Sequence, residues 1–194
     1  MSHGLLADAS FYALLARFDL DLASTTRAEG CACGGRLDRA DFPRKPRGGP
    51  ATLGASYAKR IGLCCDDCRA RTLPPSVRFL GRRVYLGAVV VLASAMRQGV
   101  SASRAAQLTA WLGVSRRTLD RWRVWWTETF IRTAFWRAAR GLLRGDVEVD
   151  QLPASLIAQF DLTDEAARIV AVLRFLSPIT TPRGAREARS PMGG

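Results

Sequence analysis

Five cysteines fall in two clumps, Cys31-Ala-Cys33-Gly34 and Cys64-Cys65-Asp-Asp-Cys68, with about thirty residues between them. Thiolates are soft donors, and thiol pairs brought together across a loop in a reducing compartment are most often ligands of one tetrahedral Zn²⁺. In such a site each of two turns offers two sulfurs to the same ion. Cys65 and Cys68 have the favoured two-residue gap. Cys31 and Cys33 are one residue apart, and Gly34 and Gly35 let the backbone fold close to the metal. Cys64 is then either a spare thiol or the ligand in place of Cys65. The expected set is therefore Cys31, Cys33, Cys65 and Cys68, with Cys64 as the substitute. A catalytic zinc needs an open position and a general base. His3 is the only histidine and is remote in sequence, and a full thiolate shell leaves the ion a poor activator of water, so a structural zinc is expected. Buried apolar thiols and a redox dithiol are the competing readings. Clusters beside charged residues do not resemble a core stripe, and no thioredoxin-like pattern surrounds the thiols.

A second pattern runs from Ala105 to Trp122. Two helices that cross tightly need a glycine in the turn and apolar anchors on their facing sides. Gly113 supplies the turn, and Leu108 and Leu112 fall on the inner face of the first helix. Val114 plugs the turn, and Leu119 and Trp122 lie under the second helix. Thr109 stands where alanine is usual. The outward face of the second helix offers Arg116, Arg117, Arg121 and Arg123, suited to phosphates and guanine edges. A plain helical hairpin with a solvated basic face is the alternative. Further on, Trp122, Trp125, Trp126, Phe130, Phe135 and Trp136 are interleaved with arginines. At near-helical spacing such rings read as a core or dimer seam rather than a platform for single-stranded bases. Adjacent Trp125 and Trp126 point about 100° apart on an α-helix. One of them is therefore expected to pack on a second surface, either the zinc module or another subunit.

The elements that must position these groups follow from composition and period. Of 194 residues, 27 are Arg and two are Lys, and the net charge is +12. The excess is local. Residues 31–145 carry 22 basic and 6 acidic groups, while residues 1–30 and 146–194 are each at net −2. A basic segment of that kind fits a phosphate-binding surface. Residues 1–30 are expected as an amphipathic helix, Leu5 to Phe18, with a linker broken at Ser24-Thr-Thr and Gly30. Residues 31–80 are expected as a zinc-ribbon-like module, rich in Gly and Pro and held by its metal. Short segments such as Ser56 to Leu63 can pair as strands there, and Arg44, Lys45 and Arg47 can meet phosphates.

Residues 81–145 are expected as a helix-turn-helix domain. It comprises a buried helix from Arg82 to Met96, a second helix capped by Ser101 or Ser103, and a long third helix from Ser115 to about Arg140. Residues 146–176 follow as an acidic connector and two short helices, Pro153 to Phe160 and Asp164 to Leu176. Residues 177–194 read as a disordered tail. The expected class is mainly α: a small Cys-rich module followed by a helical bundle. The strongest apolar run, Val84 to Met96, is about thirteen residues, short of the ~20 that span a bilayer. With no signal peptide legible at the N-terminus, a cytoplasmic protein without membrane contact is expected.

Together Cys31-Ala-Cys33-Gly34, Cys64-Cys65-Asp-Asp-Cys68-Arg69 and Gly113-Val-Ser-Arg-Arg-Thr-Leu-Asp-Arg-Trp122 resemble the front end of bacterial insertion-sequence transposases, a zinc ribbon followed by a helix-turn-helix. The stretch Arg71-Thr-Leu-Pro-Pro-Ser-Val-Arg-Phe-Leu-Gly-Arg-Arg-Val-Tyr85 is similar to small transposase-like proteins with the same pairing. The resemblance covers roughly residues 30–140. It implies recognition of an element's terminal repeats by these modules, with cutting left to a separate RNase H-like domain carrying three acidic residues. Only about fifty residues follow the long helix here, against the order of 150 that such a domain takes. The expectation is thus a non-catalytic duplex-DNA-binding protein, transposase-derived or transposase-accessory, with the aromatic helix 115–140 offering a seam for a homodimer or a transposase partner. A transcriptional regulator with the same parts and a helical protein-interaction scaffold are the alternatives.

Overall fold

A computed structural model describes residues 4–50, 53–80, 85–97, 106, 110 and 112–181. The chain is mainly helical, with a small sheet region between the first long helix and the rest of the helices. Helix α1 (Gly4–Ala7) leads into α2 (Ala9–Glu29), which starts where the Asp8 carboxylate accepts from Ser10 N–H at 2.8 Å. Phe11, Leu15, Asp19 and Ala23 recur every fourth residue and are all buried, so one stripe of α2 faces the core. The helix runs well past Phe18 and through Ser24-Thr-Thr, where a break was expected. The hydroxyls of Thr25 and Thr26 donate to the carbonyls of Asp21 and Leu22, at 3.1 and 3.0 Å. They are satisfied inside the helix instead of competing with it. Gly30, at φ 74°, ends it.

Strands β1 (Leu37–Arg39), β4 (Leu63–Cys65) and β5 (Arg71–Thr72) form an antiparallel sheet in the order β1-β4-β5. Strands β2 (Phe42–Pro43) and β3 (Lys59–Arg60) make a second, two-stranded pair. The expected strand Ser56 to Leu63 is thus divided. Ala55–Ala58 is a 3₁₀ turn that buries Tyr57, and pairing resumes only at Lys59. Leu37, Leu63 and Cys65 form a miniature core apart from the main one. Three residues are too few to hold a sheet alone, which is why something else must close this end of the module.

Helix α3 (Gly87–Arg97) is buried on every side, from Ala88 to Met96. It begins later than Arg82. Residues 81–84 lie outside the described residues, and Tyr85 and Leu86 are held extended by bridges to Arg47 and Phe79. Most of the first helix of the expected helix-turn-helix, with Ser101, Ser103, Leu108 and Thr109, also lies outside the described residues. Ala106 and Ala110 are helical and exposed, and Leu112 is helical and buried.

Gly113, at φ 60°, makes the turn. The Ser115 hydroxyl then accepts from Thr118 N–H at 3.3 Å and caps α4 (Arg116–Val124). The expected continuous helix to Arg140 does not form. A π turn over Trp125–Thr129 and a 3₁₀ turn over Phe130–Arg132 follow α4, and Thr133 is extended. Its hydroxyl donates to Phe130 O at 2.7 Å and accepts from Trp136 N–H at 3.0 Å, closing one segment and capping α5 (Ala134–Ala139).

Helices α6 (Ala154–Ala158) and α7 (Glu165–Leu176) complete the body, α7 being capped by Asp164. The expected tail does not begin at Ser177. Ser177–Thr180 is a 3₁₀ turn with Ser177, Ile179 and Thr180 buried, because Thr180 hydrogen-bonds back to residues 60 and 76. Residues 182–194 lie outside the described residues. No helix among the described residues is long and apolar enough to cross a membrane.

Candidate metal centre and basic surface

The register of β1 on β4 pairs Leu37 with Cys65 and so sets the turn before β1 beside the turn after β4. In the first turn Gly34 N–H donates to Cys31 O at 2.8 Å and Cys31 N–H to Gly35 O at 3.0 Å. Gly34, at φ 90°, is in a region that side chains disfavour. In the second, Cys65 N–H donates to Ala70 O at 3.0 Å and Arg69 takes a left-handed φ of 59°. A bond from Asp66 N–H to Arg36 O at 3.0 Å joins the turns. Gly35 is where they touch: a Cβ there would sit 2.6 Å from Cys65 Sγ and 2.8 Å from an Asp67 carboxylate oxygen.

This arrangement brings Cys31, Cys33, Cys65 and Cys68 together, with all four sulfurs within 4.8 Å of one another. Cys31 Sγ lies 3.5 Å from Cys68 Sγ, and Cys33 Sγ 3.5 Å from Cys65 Sγ. The four could hold one metal ion. Cys64 is left out by the period of the strand. Alternate residues of β4 face opposite ways, so Cys64 shares a cross-strand row with Asp38 and Arg71 while Cys65 faces the cluster. The Cys64 thiol is turned to the carbonyls of Arg69 and Cys65.

Four thiols this close cannot all lose their protons without a compensating cation. The Gly35 backbone N–H, with help from neighbouring thiols, lowers Cys33 to about 7. Backbone bonds from Cys68 and Asp67 act to lower Cys65, yet burial and the proton shared with Cys33 carry it up to about 12. Cys68 is also raised: a backbone bond from Ala70 lowers it, and bonds to Cys33 and Cys31 outweigh that. A cation at the centre would remove the conflict.

The arginines expected to meet nucleic acid divide into two sets. Arg116, Arg117, Arg121 and Arg123 are exposed on α4, above an inner face of Val114, Leu119 and Trp122 that is buried. Arg121 also donates to the Thr118 hydroxyl at 3.0 Å. In the module Lys45 and Arg47 are exposed, whereas Arg44 is half-buried with its guanidinium 4.9 Å from the centre of the Phe42 ring. Other module cations face acids: Arg36 meets Asp38 and Asp66, and Arg39 meets Asp41 at 2.8 Å. The aromatic series is mostly interior. Trp122, Trp126, Phe130 and Trp136 are buried. Trp125, half-buried, packs on Trp126 and Phe130 with ring centroids at 4.7 and 5.4 Å. The π turn, closed by Phe130 N–H on Trp125 O, changes the angle between successive residues and keeps both indoles in one cluster.

One buried polar assembly escaped the reading of the sequence. Asp19, 2% exposed, accepts from the Ser76 hydroxyl at 2.6 Å, from Val77 N–H at 2.7 Å and from Arg78 Nε at 2.7 Å. Arg60 lies 3.9 Å from the same carboxylate and donates to Pro74 O at 2.8 Å, and burial lowers its pKa to about 10. The signal was available: Asp19 occupies an apolar position in the four-residue stripe of α2. No family model, no curated protein and no solved structure matches the chain.

Proposed function

We propose that the chain is a non-catalytic DNA-binding protein in which a structural Zn²⁺ holds the Cys module and α4 reads duplex DNA. The observation that carries this reading is the pairing of a four-sulfur cluster with an exposed arginine face on a capped helix. A Zn–S bond of about 2.3 Å in a tetrahedron implies S–S edges of about 3.8 Å. The observed sulfur pairs at 3.5 Å, within a group spanning 4.8 Å, need only a small adjustment to reach it. The module's core of Leu37, Leu63 and Cys65 is too small to do without such a staple. The short turn at Gly113 and Ser115 supports a helix-turn-helix, with the second helix entering the major groove and its arginines reaching guanine edges and phosphates.

The reading extends to a zinc ribbon joined to a helix-turn-helix of the transposase kind, acting as a DNA-recognition accessory rather than a nuclease. Two-metal strand transfer needs carboxylates fixed around a pair of ions ~4 Å apart. Asp146 and Glu148 are instead exposed on an irregular connector and Asp150 in the 3₁₀ turn Val149–Gln151 that follows it, where Gln151 bonds Glu148. Native mass spectrometry and metal analysis of protein purified without chelators should find one zinc per chain, and its absence would remove the metal. A duplex shift titrated against salt should give a log–log slope near −5 for roughly six neutralised phosphates. A slope near zero would mean the charge is not used on DNA. Incubation with Mg²⁺ or Mn²⁺ on DNA carrying the sequences that flank its own gene should leave the DNA intact. Nicking lost with Asp146→Ala or Asp150→Ala would overturn the non-catalytic assignment.

A further inference from the structure

Two short contacts join the Lys45–Arg47 arm to α4. Arg47 forms an isolated parallel bridge with Tyr85, and Leu86 N–H donates to Arg47 O at 3.4 Å. Tyr85 in turn sets its ring edge-on against Trp122 of α4, with centroids 5.1 Å apart. The arm cannot swing away freely, because its next two residues are pressed on the core. A Cβ on Gly48 would lie 2.9 Å from Val89 Cγ1, and one on Gly49 2.6 Å from Leu86 Cδ1. The arm leaves its positive charge available. Lys45 and Arg47 are exposed, the stretch from Arg44 to Pro50 contains no acid, and the nearby Asp41 is taken by Arg39 at 2.8 Å. Arg44 is not part of this surface, since it lies over Phe42.

We infer that Lys45, Arg47 and the outward arginines of α4 form one composite surface that straddles a single major groove of duplex DNA, with Tyr85 as the strut that fixes their spacing. This rests on the DNA reading of α4 and adds a partner geometry to it. Bridged strands stand about 4.8 Å apart, and Tyr85 reaches the buried face of α4 through a ring pair with centroids 5.1 Å apart, so the arm lies against the flank of the helix, behind its outward arginines. A B-form major groove is about 12 Å wide. A helix seated in it and an arm beside the helix therefore meet the base edges and the bordering phosphates of the same groove. A-form RNA, whose major groove is deep and narrow, does not offer that spacing, and a single strand has no groove. Tyr85 touches no DNA in this scheme; it is a positioning residue.

The test uses the full metal-loaded chain and a fluorescent 24-bp mixed-sequence DNA duplex, with anisotropy read across a salt series. Each phosphate contact adds about 0.9 to the log–log slope, so Lys45→Ala with Arg47→Ala should lower its magnitude by about 2. In a Tyr85→Ala background the same pair should lower it by less than 1, because the arm is no longer in register. Tyr85→Phe, which keeps the ring, should behave as the parent. If Tyr85→Ala does not fold by circular dichroism, Tyr85→Leu takes its place, keeping apolar bulk without the ring edge. Equal losses with and without Tyr85, or no loss from the arm pair, would overturn the composite surface while leaving DNA binding intact. Equal affinity for a 24-nucleotide single strand or an RNA duplex would overturn it as well. Absence of any salt-dependent binding by the parent would take the DNA reading down with it.

Discussion

Metal capture by four thiols is a competition with protons, and the positions of Cys33 and Cys65 set its direction. With Cys33 near 7 and Cys65 carried to about 12, an ion entering above pH 7 must displace at least the protons of Cys65 and Cys68. Affinity therefore rises with pH, by about 100-fold per unit or more between pH 7 and 9, and falls more steeply below pH 7 as Cys33 also protonates. Competition against a chromophoric zinc chelator at several pH values checks this, and a flat profile would mean the thiols are not the ligands. The same assay separates the adjacent cysteines. Cys64→Ser should keep one metal per chain, and Cys65→Ser should lose it. Gly35→Ala should weaken binding by about 10–100-fold, the size of effect that a residue supporting the ligands commonly has, because its methyl would meet Cys65 Sγ at 2.6 Å. Thiol spacing made the cluster legible in the sequence. The choice between Cys64 and Cys65 was not, because it depends on which way β4 faces, and that is fixed by the pairing of Leu37 with Cys65.

Threonine shows why element boundaries were harder to read than element types. Thr25 and Thr26 return their hydroxyls to carbonyls four residues back and let α2 continue, whereas Thr133 turns the chain extended and starts α5. The residue type is the same in each case. The aromatic packing of Phe130 and Trp136 decides the second outcome, and that packing is tertiary. Ser115 and Asp164, by contrast, sit at helix starts that their short polar side chains and the apolar runs behind them already marked. Thr133→Ala should cost about 1 kcal/mol through loss of the cap, read as a lower urea midpoint with an unchanged slope. Removing the metal should release the β1-β4-β5 sheet first, since only Leu37, Leu63 and Cys65 remain to hold it. Hydrogen exchange after chelation should show those amides open while α3, buried on every side, stays protected.

Across the whole molecule the helical class and the Cys-rich module were legible from period and composition, but the tie between them was not. Asp19, Arg60, Ser76, Arg78 and Thr180 come from segments far apart in sequence and meet in one buried network. No local pattern encodes that meeting, and Thr180 lies in a stretch whose composition reads as tail. Asp19→Asn would leave Arg60 and Arg78 buried without their counter-charge. It should destabilise the fold by about 3–5 kcal/mol, measured by denaturant unfolding. If the change proved neutral, water would have to reach the two guanidinium groups.

The position of Thr180 also has a consequence in time. Arg60 and the hydroxyl it meets are 120 residues apart. At about 5–20 residues per second, a ribosome needs roughly 6–24 s to make the second after the first. For most of that interval the nascent chain carries a Ser76 N–H whose acceptor has not yet been made, and an Arg60 that has Pro74 O and Asp19 beside it but not Thr180. The N-terminal half should accordingly stay open to protease on ribosomes stalled before residue 177, and become resistant once a stall placed well downstream lets Thr180 clear the exit tunnel.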